Sequence, residues 1–414
     1  MASSLRSLAV TACRTSTPRV TIAGSSCASG VTVVSLSKRQ LSLVAAPRQR
    51  GPKFVQRTTR GFHTSTPSQS IPPQSTPKFT YGIAASFSAK DHKYNPNRNI
   101  FNFDPYNHIR ARRKNKKTRP GSGQDAFFVS RVGETSDVAF GVADGVGGWM
   151  NSGVDPADFS HGLCDYAAHA AYTHRPEEWE TPLNARSLMQ RGYEDICNDE
   201  TVRAGGSTAC VAIARGTGQL EVANLGDSGF VQLRLNAVHD YSEPQTHAFN
   251  TPYQLSIVPK KILAQVAAFG GTQLCDFPKD ANVSQHALRH GDVLVFATDG
   301  VWDNLSRHEI LKIVSKIMIG ANAWVHTENG IGVGTDLHNF TMPDDGKDAT
   351  EDIPSLQSFL AVGITNEAKA ASMNTKLDGP FAREVQREFP YEKWQGGKVD
   401  DICVVVAIAC EEKK

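Results

Sequence analysis

The chain has 414 residues, of which 40% are apolar and 21% charged, with a formal net charge of +2. That composition supplies a large core and excludes collagen-like, coiled-coil and wholly disordered chains, and no apolar run approaches the ~18 residues of a membrane-spanning helix. The charge is unevenly placed: residues 1–90 hold 12 of the 44 basic residues and none of the 42 acids, so residues 91–414 carry a net −10 and offer no general basis for binding nucleic acid.

Residues 1–61 are rich in Ser, Thr, Ala and Arg and contain no acid, the composition of a mitochondrial transit peptide. The run Arg60-Gly61-Phe62-His63-Thr64-Ser65 resembles a two-step processing site, with a first cut after Gly61 and trimming to about residue 69. Residues 62–77, rich in Ser, Thr, Pro and Gln, read as a linker, and residues 78–414 as one domain. Of the eight cysteines, Cys13 and Cys27 fall in the presequence. The other six form no C-x-x-C pair and read as buried thiols in a reducing compartment, not as zinc ligands or disulfides.

Within the domain, strands are expected near 79–88, 126–131, 138–143, 208–214, 219–224, 229–235, 293–298 and 402–409, and helices near 156–173, 182–198 and 307–318. Two surface insertions are expected, near 91–122 and 320–355. The first carries the basic run Arg110–Arg119. One local design recurs: a short Val-rich run meets an aspartate at a strand end. Asp125 precedes Ala-Phe-Phe-Val129, Asp144-Gly145 follows Ala139–Ala143, Asp299-Gly300 follows Asp292–Thr298, and Asp400-Asp401 precedes Ile402–Ala409. A single Asp-Gly is ordinarily a turn. Here, however, Asp144 leads through a glycine-rich stretch to an Asp155-Pro156 helix start, and Asp299 leads to an amphipathic helix. Carboxylates gathered this way need a counter-charge, and hard divalent cations with oxygen ligands supply one. Glycine beside the aspartate lets a main-chain carbonyl approach such an ion.

The blocks Asp125, Asp144-Gly-Val-Gly-Gly148, Gly205-Gly-Ser-Thr-Ala209, Ala223-Asn-Leu-Gly-Asp227-Ser-Gly229, Thr298-Asp-Gly-Val-Trp-Asp303 and Asp400-Asp401 occur in the order and spacing of the metal-dependent Ser/Thr protein phosphatases of type 2C, which the chain resembles over roughly residues 78–410. The Val-Gly-Gly-Trp149 tail and His247–Ser256 are similar to the mitochondrial branch of that family. The resemblance implies an α+β fold, a central β-sandwich of two antiparallel sheets flanked by α-helices. It also implies two Mg²⁺ or Mn²⁺ ions that activate a water against phosphoserine or phosphothreonine. Asp144 would bridge both ions, Gly145 would offer its carbonyl, Asp299 and Asp400 would bind the second ion, and Asp125 would act directly or through water. Asp227 would bond turn amides as a structural residue or stand behind these ligands, Asp303 would join the metal site from behind them or cap the following helix, and Arg119 would capture phosphate. The implied partners are phosphorylated proteins of the mitochondrial matrix, metabolic or ubiquinone-biosynthesis enzymes among them.

Two features depart from the family pattern. Asp401 stands where Asn is usual, and Val146 stands where many relatives carry a His suited to protonate the leaving oxygen. His161 lies nearby in sequence but in a helical stretch, where an ordinary core or surface role is the simpler reading. The missing His leaves a catalytically weak pseudophosphatase, a binding module on the same fold, as the alternative. Gly226-Asp-Ser-Gly229 also matches the nucleophile segment of trypsin-like proteases, a reading that gives the other aspartates no role.

Overall fold

The computed structural model describes residues 78–104, 116, 119–175, 182–268, 275–341 and 355–412. The presequence and linker expected over 1–77 lie outside them, as do 110–115 and 117–118 of the basic run and 342–354 of the second insertion. The strands are β1 (Phe79–Ser88), β2 (Ile100–Asn102), β3 (Asp125–Arg131), β4 (Val138–Asp144), β5 (Gly205–Ser207), β6 (Ala209–Ala214), β7 (Gln219–Leu225), β8 (Gly229–Arg234), β9 (Ala237–Tyr241), β10 (Thr246–Ala248), β11 (Thr251–Pro252), β12 (Leu255–Ile257), β13 (Asn282–Ala287), β14 (Val293–Ala297), β15 (Trp324–Thr327), β16 (Gly330–Val333) and β17 (Ile402–Glu411). The helices are α1 (Pro156–Tyr172), α2 (Ala185–Cys197), α3 (Lys260–Ala268), α4 (Asp299–Trp302), α5 (Arg307–Gly320), α6 (Leu337–Thr341), α7 (Leu356–Ser372) and α8 (Pro380–Glu388).

Six strands form one sheet in the order β2-β1-β17-β14-β8-β9, and five form a second in the order β13-β7-β6-β4-β3. Neighbours within both sheets run antiparallel. Side-chain alternation sorts each strand between two environments. Phe140, Val142, Ala212 and Val222 of the second sheet meet Ile83, Phe230, Phe296 and Val405 of the first in the layer between them. The opposite residues of the second sheet, such as Phe128, Val211 and Ile213, pack under α1 and α2 through Phe159, Leu163, Leu188 and Met189. Those of the first sheet, such as Val231, Val295, Val404 and Val406, lie under α5 and α7 through Ile310, Val314, Leu360 and Ile364. Both faces of β17 are therefore covered. This is why its sequence is a continuous apolar run with no alternation. The α+β sandwich flanked by helices is the expected fold.

Helix starts follow local chemistry. Asp155 Oδ1 accepts from the Ala157 amide with Pro156 at the first helical position, and Ser306 and Glu309 form a reciprocal capping box for α5. The described parts of both insertions are tied to the sandwich. Ile100–Asn102 adds an edge strand to β1, and the fully buried Trp324 donates its indole N–H to the Gly291 carbonyl at 3.0 Å. Helices α7 and α8 were not expected from the sequence. Of the six described cysteines, Cys164, Cys210, Cys403 and Cys410 are buried as expected, whereas Cys197 is exposed; all six are free thiols.

Phe140 is fully buried, with its ring edge-on to Phe296 at 5.0 Å between centroids, and Phe296 stacks on Phe230 at 5.3 Å. Phe140→Ala empties the layer that joins the sheets. It is expected to cost about 3–5 kcal/mol of unfolding free energy in denaturant titration.

Candidate active site

The paired strand ends bring the aspartates together. In the β3–β4 register Asp125 lies opposite Asp144. In the other sheet Ala297 pairs with Val404, so Asp299, just after β14, and Asp400, just before β17, fall at the same end. Thr298 joins the two sheets: its hydroxyl donates to Asp125 Oδ2 at 2.7 Å and accepts from the Cys403 amide at 3.0 Å. On the Asp144 side, Thr208 Oγ1 accepts from the Asp144 amide at 3.0 Å and shares a 2.7 Å hydrogen bond with Ser228. Ser228 is thus a buried structural hydroxyl, and the protease reading of Gly226–Gly229 falls away.

Two glycines permit this convergence. A Cβ on Gly145 would sit 2.9 Å from the carbonyl oxygens of Gln124 and Pro156, and one on Gly300 would sit 1.9 Å from the Asp401 carbonyl oxygen. No larger residue fits without moving backbone.

The electrostatics follow from crowding. Burial holds Asp144 well above the usual carboxylate range, and the charges of Asp299, Asp125, Asp400 and Asp227 add to it. Burial, then Asp401, Asp299 and Asp400, raises Asp125 in the same way against its hydrogen bond from Thr298. Asp303 is raised by burial and by Asp299 although Lys398 opposes the shift, and Asp227 is pushed up to about 7 by burial and Asp299. Asp125 Oδ1 and Asp227 Oδ1 are buried oxygens with no hydrogen-bond partner among the described residues.

The side chain of Lys398 reaches in among these acids. Lys398 Nζ lies 2.7 Å from Asp299 Oδ2, 2.5 Å from Asp303 Oδ2 and 3.4 Å from Asp400 Oδ2. Burial would lower its pKa, but the three carboxylates outweigh burial and raise it well above the ordinary lysine value. Sequence reasoning passed over this residue. The only signal was a lysine two positions before Asp400. Asp401, whose role was open, is a backbone tie: its carboxylate accepts from the Lys90 amide at 2.7 Å and the Gln124 amide at 3.0 Å. Arg119 is engaged at the start of α1, with Nη2 2.5 Å from Asp158 Oδ1 and Nη1 3.7 Å from Asp155 Oδ2. His161 is buried in α1, its Nε2 3.4 Å from the Gly123 carbonyl oxygen. Val146 hydrogen-bonds through its amide to Gly206.

A family model described as Protein phosphatase 2C matches residues 117–326, half of the chain. The chain belongs to that family. It is a metal-dependent protein phosphatase of the PTC7 branch, 33% identical over 69% of its length to Protein phosphatase PTC7 homolog fig of Drosophila ananassae, of which it covers 73%. The 5-azacytidine resistance protein azr1 of Schizosaccharomyces pombe is 33% identical over 69% of this chain and 81% of its own length. Protein phosphatase 2C homolog 7, mitochondrial, of Saccharomyces cerevisiae is 28% identical over 90% of this chain and 92% of its own. Among solved structures, the photosystem II phosphatase PBCP superposes with a TM-score of 0.50 at 25% identity, covering 69% of this chain and 91% of that one.

The donors of this phosphatase suit a hard divalent ion. They are mutually repulsive carboxylate oxygens, and among the described residues the buried Asp125 Oδ1 has no hydrogen-bond partner. Among the described residues no three acidic, His or Cys side chains form a ready-made cage. In this arrangement Lys398 contacts three of the acids instead.

Because the folded-state pKa values of Asp125, Asp144 and Asp227 are raised, their contribution to stability is full below the unfolded value of 3.8 and is lost as pH rises, for Asp227 through about 7. The chelator-treated protein should therefore melt at a higher temperature at pH 6 than at pH 8, and Asp227→Asn should narrow that gap. A melting temperature that falls on going from pH 8 to pH 6 would contradict the crowding.

Proposed function

We propose that this phosphatase hydrolyses phosphoserine and phosphothreonine in mitochondrial proteins, with two Mg²⁺ or Mn²⁺ ions held by Asp144, the Gly145 carbonyl, Asp299, Asp400 and Asp125. The observation that carries the reading is the convergence of Asp125, Asp144, Asp299 and Asp400 from four strand ends into one mutually repelling group. When bound, the ions supply Lewis-acid activation of water for in-line attack on phosphorus.

The chain's own residues do the rest. Thr298 holds the Asp125 carboxylate and Thr208 accepts from the Asp144 amide, so one carboxylate and the backbone that carries the other are fixed before any ligand arrives. Asp227 and Asp303 stand behind them as hydrogen-bonding and charge partners. Arg119 is the proposed phosphate ligand. It sits at the N-terminus of α1, whose Pro156 carbonyl abuts Gly145, and would exchange Asp155 for a phosphate oxygen. Val146 offers no proton, so the leaving oxygen is protonated by water or by a neighbouring carboxyl group.

A mitochondrial address is supported by the acid-free, Arg-rich residues 1–61 and by the printed name of the S. cerevisiae relative; the matrix is the proposed compartment. Residues 1–77 fused to a fluorescent protein should carry it into mitochondria and be shortened by cleavage near Gly61. A diffuse, uncleaved fusion would overturn the address.

The catalytic reading is tested by phosphate release from a phosphoserine peptide. Release should require Mn²⁺ or Mg²⁺, stop on chelation, and fall more than about 100-fold in Asp144→Asn, equivalent to roughly 3 kcal/mol of lost transition-state stabilisation. Equal metal-dependent rates in the two proteins would remove Asp144 from the mechanism, and no metal-dependent release by the wild type would instead favour a binding module on the same fold.

A further inference from the structure

Lys398 is held unusually firmly for a long cationic side chain. Its amide donates to Asn304 Oδ1 at 2.9 Å, and its carbonyl accepts from Asn304 Nδ2 at 2.8 Å. The same Nδ2 also donates to the Gly300 carbonyl at 2.9 Å, so one amide side chain ties Lys398 to the turn that carries Asp299. The Lys398 ammonium lies 4.9 Å from the centroid of the Phe381 ring, and the Phe381 amide donates to the Asp303 carbonyl at 3.0 Å. The residue is 8% exposed. The ammonium is therefore delivered to one place, between Asp299, Asp303 and Asp400, with Asn250 Oδ1 3.5 Å away. On the far side of Asp400, Lys90 Nζ lies 3.6 Å from Oδ1, so that carboxylate is already flanked by two cations.

From this geometry we infer that Lys398 is a tethered counter-cation, anchored by Asp303, that competes with the divalent ion for Asp299 and Asp400. The inference rests on the metal-site reading above and adds a regulator to it. In the metal-free protein the ammonium offsets the repulsion of three acids that the fold cannot separate. A divalent ion entering this half of the site must displace it, because an ammonium and a hard cation seek the same carboxylate oxygens. Its short tether keeps the displaced ammonium beside the site, at a high effective concentration for return. The residue thus weakens metal affinity while protecting the empty fold, and occupancy of this half of the site becomes responsive to the supply of divalent ion.

The test is calorimetric titration of Mn²⁺ into the chelator-stripped full chain, wild type against Lys398→Met, which keeps the apolar stem against Phe381 and removes the charge, and Lys398→Arg, which keeps the charge. Lys398→Met should bind Mn²⁺ about 10-fold or more tighter than wild type, on the scale of other changes to residues around metal ligands. It should also melt at a lower temperature without metal, whereas Lys398→Arg should stay near wild type in affinity. An unchanged or weaker affinity in Lys398→Met overturns the inference alone; no Mn²⁺ binding by any of the proteins overturns it together with the metal-site reading. Should Lys398→Met not fold without metal, the wild type gives the answer by itself. Acylation of Lys398 by an amine-directed reagent, quantified by mass spectrometry, should rise when Mn²⁺ is added. Equal or lower labelling with Mn²⁺ overturns the inference.

Discussion

Repulsion between carboxylates brought to one edge of two stacked sheets is the constraint on which this molecule turns. Sheet pairing places Asp125 opposite Asp144, and the β14–β17 register places Asp299 near Asp400. These registers are set by packing in the apolar layers on both faces of each sheet, and a slip of one residue would exchange side chains between two layers that fit them differently. The acids cannot move apart without undoing the core, so positive charge has to come to them. The fold supplies some of it through Lys398 and Lys90, and hydrogen bonds from Thr298 and backbone amides supply partial charge. The remainder is the opening for a divalent ion.

The same arrangement connects stability with chemistry. A cluster that raises its own pKa values is unfavourable for the metal-free fold and favourable for metal capture, since binding relieves the strain that folding imposes. The Thr298 hydroxyl donates to the Asp125 carboxylate and Thr208 accepts from the Asp144 amide, and both threonines are buried at strand ends. The Asp125 carboxylate and the Asp144 backbone are therefore set before any cation arrives, which lowers the ordering left to be done at binding.

Much of this was legible in the sequence because the strands announce themselves. Ile402–Ala409 is short, Val-rich and bounded by Asp401, and it forms the central strand of its sheet with both faces covered. The Asp155-Pro156 helix start and the carboxylates at strand ends were also readable, because a cap or a strand terminus is a local event. Helix α7 was not legible because its buried stripe includes Gln357, Thr365, Lys369 and Ser372 while Phe359 is exposed, so its apolar residues trace no clean amphipathic face. Trp324 and its hairpin lay in a Gly- and Asn-rich stretch that reads as surface, yet the indole is fully buried. Lys398 was invisible for a different reason. Nothing in a lysine's own surroundings along the chain tells which carboxylates a buried ammonium will meet. Its partners Asp299 and Asp303 lie nearly a hundred positions away and arrive only through the pairing of β14 with β17 and the turn at α4. Asp401 shows the converse. As a departure from the family pattern it looked like a doubtful ligand, and in three dimensions it holds the Lys90 and Gln124 amides.

The central claim is that Asp125, Asp144, Asp299 and Asp400 together form a binding site for divalent metal. It is tested most directly by anomalous scattering from crystals of the protein grown with Mn²⁺. The account predicts manganese peaks in contact with Asp144, with a further peak reached by Asp299 and Asp400 and the Lys398 ammonium withdrawn from those carboxylates. Crystals diffracting well at saturating Mn²⁺, with no anomalous peak within coordination distance of any of the four aspartates, would contradict it.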